Sequence, residues 1–124
     1  MGHGKIMIVE DDEDLHILYG LYLQGQDYQI LRAYNGREAF QILETERPDL
    51  IILDMIMPIM DGEEFLTRLR TEKNILDIPV IIASVNDKIP ARLLEIGRVH
   101  KVMRKPVTIE ELLNHIQEVL AARP

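Results

Sequence analysis

The sequence has no cysteine, which excludes a disulfide framework and any thiolate metal site. No apolar run approaches the ~20 residues that a bilayer-spanning helix needs. Nor does a basic segment followed by an apolar one open the chain in the manner of a signal peptide. The expectation is therefore a soluble cytoplasmic domain that does not engage membrane. Basic residues are outnumbered, 14 Lys and Arg against 21 Asp and Glu, and they form no long stripe or motif of the kind that binds nucleic acid. The four histidines, His3, His16, His100 and His115, lack metal-ligand spacing and read as surface residues. Linkers, internal repeats and low-complexity segments are also missing.

What the chain does have is 124 residues, 47% of them apolar, enough for one domain with a single core of ordinary size. Met1 to Gly4 reads as an unstructured lead-in or cloning remnant, residues 5–122 as the domain, and Arg123-Pro124 as a tail. The five acids from Glu10 to Asp14 carry −5 of the formal −7, so the acidity is local. Like charges this close repel, and a fold that turns two of them inward needs a cation or a proton beside them.

Short apolar runs alternate with longer stretches of helical spacing, five times over. Strands are expected at Lys5–Val9, Gln29–Ala33, Leu50–Leu53, Pro79–Ala83 and Val99–Met103. The first helix starts near Asp14 with Leu15, Leu18, Tyr19 and Tyr22 on its buried face. The second carries Ala39, Phe40, Ile42 and Leu43 and stops at Arg47-Pro48; the third carries Phe65, Leu66 and Leu69. A short fourth helix spans about Ile89 to Ile96, with Pro90 in its first turn and Gly97 closing it. Thr108 and Glu111 form the capping box of the fifth, whose face is Leu112, Leu113, Ile116, Val119 and Leu120. The third and fourth strands are apolar without interruption, as central parallel strands are. The fifth is the most polar and belongs at an edge, where Lys101 discourages pairing with other chains.

Such (βα)5 alternation implies an α/β fold, a doubly wound five-stranded parallel sheet for which the order 2-1-3-4-5 is favoured. In that order the first and third strands meet at the topological switch point, beyond whose carboxyl ends ligands bind. Glu10 and Asp11 end the first strand and Asp54 ends the third, so three carboxylates from separated segments converge. Ser84, at the end of the fourth strand, and Lys105, after the fifth and before Pro106, reach the same edge. Oxygen ligands favour a hard cation such as Mg2+, with Mn2+ a possible substitute.

In these features the chain resembles the receiver domains of two-component response regulators, which share the flavodoxin-like fold, over about Lys5 to Ala122. The resemblance rests on the pair Glu10-Asp11, the segment from Asp54 through Pro58-Ile59-Met60-Asp61-Gly62, Ser84, and Lys105-Pro106. It implies that Asp54 accepts a phosphoryl group from a sensor histidine kinase or phosphotransfer protein. Asp11 would then bind Mg2+ directly, Glu10 mainly through water, and the Ile56 main-chain carbonyl would complete the set with Asp54. Lys105 and the Ser84 hydroxyl would bind phosphoryl oxygens, and Pro106 would make a cis-type turn. Such a domain is not a classical enzyme: it catalyses its own phosphorylation and a slow autodephosphorylation. It would signal to a downstream partner or an output domain outside the chain, or through a weak or phosphorylation-dependent homodimer.

Asp12, Glu13 and Asp14 are expected to start the first helix, Asp61-Gly62 to form a turn, and Met55, Met57 and Met60 to pack. Arg98, His100, Lys101 and Arg104 read as a solvated edge. Three departures from the family pattern lie together. Val102 stands three residues before Lys105, where an aromatic switch residue is usual; branched Val85 follows Ser84; and the stretch from Ser84 to Gly97 is shorter than usual while that from Gly97 to Lys105 is one residue longer. Readout without an aromatic switch, through main-chain shifts after Ser84, is the resulting expectation. An interaction module that works without phosphate is the alternative. Two other readings fit poorly: a haloacid dehalogenase-type phosphatase would want an Asp where Ile56 stands, and a flavodoxin-like carrier would want a phosphate loop where the five acids stand.

Overall fold

A computed structural model describes residues 4–122. Five strands and five helices alternate: β1 (Gly4–Val9), α1 (Glu13–Gln24), β2 (Tyr28–Ala33), α2 (Gly36–Leu43), β3 (Leu50–Leu53), α3 (Gly62–Thr71), β4 (Val80–Ser84), α4 (Ala91–Ile96), β5 (Val99–Arg104) and α5 (Ile109–Ala121). All strands pair in parallel in the order β2-β1-β3-β4-β5. That is the order expected from the alternation, with β5 at an edge. Among the described residues no helix is long and apolar enough to cross a membrane.

Side chains alternate across a strand, and here both faces are covered, so each central strand must be apolar throughout. Met7, Val9, Ile51, Leu53, Val80 and Ile82 pack with Phe65, Leu66 and Leu69 of α3. Ile6, Ile8, Leu50, Ile52, Ile81 and Ala83 face Tyr19 and Leu23 of α1 and Leu112 and Ile116 of α5. Helix starts follow side-chain caps at Asp12, Asn35, Asp61 and Thr108, each accepting a backbone N–H of the first turn.

Several expectations need correction. Gly4 is part of β1, paired with Tyr28, and does not belong to a lead-in; Met1 to His3 and the Arg123-Pro124 tail lie outside the described residues. In α1 the buried residues are His16, Tyr19, Gly20 and Leu23, while Leu18 and Tyr22 are 41% and 50% exposed. The helix is apolar on both sides, so spacing alone left its orientation open. His16 is accordingly buried, not a surface residue. Helix α2 ends at Leu43, ahead of Arg47-Pro48. Pro90 precedes α4 as its extended N-cap, because its φ of −56° is joined to a ψ of 138°, and no side chain caps that helix. Gly97 does close α4, but in right-handed conformation; the positive φ falls on Arg98.

Strand β5 carries a bulge. Val99 pairs with Val80 but Lys101 with Ile81, so His100 is an extra residue, and Val99 and Val102 consequently face the same core.

Candidate functional site

The site lies where the chain leaves β1, β3, β4 and β5. Strand pairing carries into the loops: the Asp54 N–H donates to the Val9 carbonyl at 3.0 Å, and the Lys105 N–H to the Ser84 carbonyl at 3.0 Å. These bonds draw the strand ends together before any side chain acts. Gly62 keeps the segment after Asp54 close to the sheet, since a Cβ there would stand 2.4 Å from the Asp54 carbonyl oxygen. Its N–H donates to the Met55 carbonyl. Met55, Met57 and Met60 are buried packing residues, as expected, and Asp61, expected with Gly62 in a turn, caps α3 with Gly62 as its first residue.

Glu10 and Asp54 are buried, Asp11 is exposed, and one oxygen from each of the three lies within 4.8 Å of the others. Lys105 reaches between the buried pair, its Nζ donating to Glu10 Oε1 at 2.5 Å and to Asp54 Oδ2 at 3.0 Å. The second oxygen of each carboxylate is also engaged. Asp54 Oδ1 accepts the Ile56 N–H at 3.2 Å, and Glu10 Oε2 accepts the Asp12 N–H at 3.2 Å. Ser84 is fully buried, and its Oγ accepts the Asn86 N–H. The Lys105–Pro106 peptide is cis.

Two carboxylates in one low-dielectric site cannot ionise equally. Burial raises Glu10 from 4.5 to about 7, helped by the Asp54 charge and opposed by Lys105 and the Asp12 N–H. Burial pushes Asp54 the same way, yet Lys105, the Ser84 hydroxyl and the Ile56 N–H outweigh it and hold Asp54 below the ordinary carboxylate range. Lys105 is itself raised: burial disfavours its charge, but the two carboxylates more than compensate. The site therefore presents an ionised Asp54 at neutral pH, with one ammonium set against three acids. A surplus of oxygen donors and of negative charge suits a hard divalent cation, and the three acids together could hold a metal ion.

All the predicted polar side chains except Asp11 and Ser84 are linked directly through Lys105, and these two adjoin it from β1 and β4. Val85, 60% exposed, stands beside the opening, where it lines a groove of about 400 Å³ with Leu15, Leu18, Tyr19 and Lys105. Val102 is half-buried against the core of α3 and α4 and does not reach the site. Arg98, His100, Lys101 and Arg104 are exposed, as a solvated edge should be. Two buried polar residues escaped the sequence reading. His16 Nε2 lies 2.6 Å from the Glu10 carbonyl oxygen. Arg70 donates to the carbonyls of Gly97, Ile75 and Ile78. Main-chain partners leave no trace in residue type, so no signal could have found either.

Comparison with known proteins agrees with this geometry. Residues 6–117 match the family described as response regulator receiver domain. The alkaline phosphatase synthesis transcriptional regulatory protein PhoP of Bacillus subtilis is 33% identical over 118 residues, covering 94% of this chain and 48% of that protein. The transcriptional regulatory protein PrrA of Mycobacterium tuberculosis is 32% identical over 123 residues, covering 96% and 51%. The chain thus spans about half the length of the curated relatives it matches. Among solved structures, a Francisella response regulator receiver domain superposes with a TM-score of 0.85 at 28% identity, covering 95% of this chain and 97% of that one. The response regulator TrrA of Thermotoga maritima, in complex with Mg2+ and BeF, does so with a TM-score of 0.80 at 27% identity, covering 94% and 98%.

Proposed function

The chain belongs to the response regulator receiver domain family, and on that premise we propose that it is a phosphoacceptor that takes a phosphoryl group onto Asp54. The observation that carries this reading is the ionised, buried Asp54 carboxylate held between Lys105 Nζ and the Ile56 N–H, with Glu10 and Asp11 beside it. Glu10, Asp11, Asp54 and the Ile56 main-chain carbonyl would hold Mg2+. When bound, the cation supplies charge neutralisation between the acids and an incoming phosphoryl group.

The donor is a phosphohistidine of a sensor kinase or phosphotransfer protein in a cytoplasmic setting. An Asp54 oxygen attacks phosphorus, the O–P bond forms as the N–P bond to the donor imidazole breaks, and the departing nitrogen takes a proton from solvent. Lys105 exchanges its carboxylate contact for a phosphoryl oxygen, and the Ser84 hydroxyl, which serves the Asp54 carboxylate while its Oγ accepts the Asn86 N–H, donates to another. The exposed apolar residues Leu18 and Val85 flank the opening and suit a protein donor better than a small one. Water in the donor's place gives slow autodephosphorylation. Residues 4–122 act as one receiver unit, and output passes to a partner protein or a further domain.

Incubation with acetyl phosphate and Mg2+, followed by intact mass, tests the reading. One phosphoryl adduct is expected, absent in Asp54→Asn and absent when EDTA replaces Mg2+. No adduct on the wild type with any phosphoryl donor would overturn it in favour of a phosphate-independent interaction module.

A further inference from the structure

We propose that His16 is a positioning residue for the cation site, acting on Asp11 through the Glu10 carbonyl. The inference rests on the reading of Glu10, Asp11 and Asp54 as cation ligands. It starts from an oddity of packing. His16 is 1% exposed, and of its two ring nitrogens one is unpartnered: Nδ1 is buried without a hydrogen bond. A phenylalanine or leucine would fill the same space with no orphaned nitrogen, so packing alone does not account for a histidine.

The other nitrogen accounts for it. Nε2 lies 2.6 Å from the Glu10 carbonyl oxygen. A carbonyl can only accept, so Nε2 carries the hydrogen and donates. β1 ends at Val9; the Glu10 N–H still donates to the Ala33 carbonyl, and the next peptide plane belongs to the loop. That plane joins Glu10 to Asp11. Holding its oxygen sets ψ of Glu10 and φ of Asp11, and so the direction in which the Asp11 side chain leaves the chain. The Asp11 carboxylate itself accepts no hydrogen bond from a described residue. Its placement depends on this backbone.

The imidazole is in turn held in place. Tyr34 packs against it with ring centroids 4.4 Å apart, and the Tyr34 hydroxyl donates to Glu13. Arg32 Nη1 donates to the His16 carbonyl at 2.6 Å. Gly20 makes room for that guanidinium, since a Cβ there would come within 2.2 Å of Arg32 Nη2. With Tyr34, just beyond β2, against the ring and Arg32 of β2 on its backbone carbonyl, the ring cannot swing away from Glu10 without displacing Tyr34. Groups that orient a metal ligand are worth about 10- to 100-fold in affinity.

The test compares His16→Phe, which keeps the ring and loses the donor, with His16→Gln, whose amide can donate from a similar distance. Mg2+ affinity is read by calorimetry and by amide chemical shifts, and phosphoryl uptake from acetyl phosphate is followed across Mg2+ concentrations. His16→Phe should weaken Mg2+ binding by about tenfold, with uptake restored at saturating Mg2+, and His16→Gln should recover most of the affinity. Unchanged Mg2+ affinity in a folded His16→Phe protein, or equal losses in both variants, would overturn the inference. Should His16→Phe not fold, the wild type decides: an Nε2–H that is protected from exchange and shifts on Mg2+ addition supports the role, and one that exchanges freely and stays unmoved overturns it. A wild type that binds no Mg2+ defeats the phosphoacceptor reading itself, and this inference with it. Binding by the wild type with no effect of the substitutions defeats the inference alone.

Discussion

The carboxyl ends of β1 and β3 and the flank formed by β4, α4 and β5 belong to one sheet, yet they are built on different terms. At the first, charged side chains hold one another: Lys105 bridges Glu10 and Asp54, and each carboxylate also accepts a backbone N–H. At the second, the main chain carries the irregularities, with a six-residue helix that has no side-chain cap, a positive φ at Arg98 and a bulge at His100. What fastens this flank is Arg70, 3% exposed, whose guanidinium takes the carbonyls of Gly97, Ile75 and Ile78 and so ties α3 to the end of α4 and the start of β4. Burial, and then the nearby Arg98, lower its pKa to about 10, which leaves it charged at neutral pH. The difference teaches that a cluster of buried charges constrains residue type, because charges must balance, whereas a flank fastened through main-chain carbonyls constrains mainly shape. The first region carries the charged motif; the second carries a valine, Val102, half-buried against the core.

Substitutions can break this comparison. The largest effect is expected from Lys105→Ala, which removes the bridge between Glu10 and Asp54 and the proposed phosphoryl partner: uptake from acetyl phosphate should slow by about 100-fold or more, measured as the rate of adduct formation by mass. A rate close to wild type would mean that the ammonium is merely structural. Next comes Arg70→Leu, which strips three carbonyls of their donor and should cost about 3 kcal/mol in denaturant unfolding. Mg2+ affinity in the folded variant should stay near wild type, and a parallel loss there would show that the two regions are one unit. The smallest effect is a displacement rather than a loss. With beryllofluoride and Mg2+, amide shifts should move in residues 85–90, next to Ser84, and little at Val102; a silent loop would sink the view that readout proceeds without an aromatic switch.

Much of this was legible in the sequence. Leu50–Leu53 could be assigned as a central strand because a strand covered on both faces must be apolar at every position. Thr108 could be assigned as a cap because a side-chain acceptor before a helix has one obvious partner, whereas which acid among Asp12, Glu13 and Asp14 caps α1 was settled only by the fold. The orientation of α1 was not legible. Ile17, Leu18, Leu21 and Tyr22 are as apolar as the residues that face the sheet, and only packing selects between the two sides. The bulge at His100 was legible as a length but not as a place.

By itself the sequence determined the alternation of elements, the strand order and which polar residues would converge, since period, handedness and the need to neutralise clustered acids act through residue type. Tertiary structure alone decided that Glu10 and Asp54 share Lys105, that Burial sets Glu10 and Asp54 apart in acidity, and that His16 and Arg70 lie inside. The reason is common to all of these. Dielectric surroundings and main-chain carbonyls belong to a position in space, and no residue's identity records which carbonyl will stand opposite it once the chain has folded.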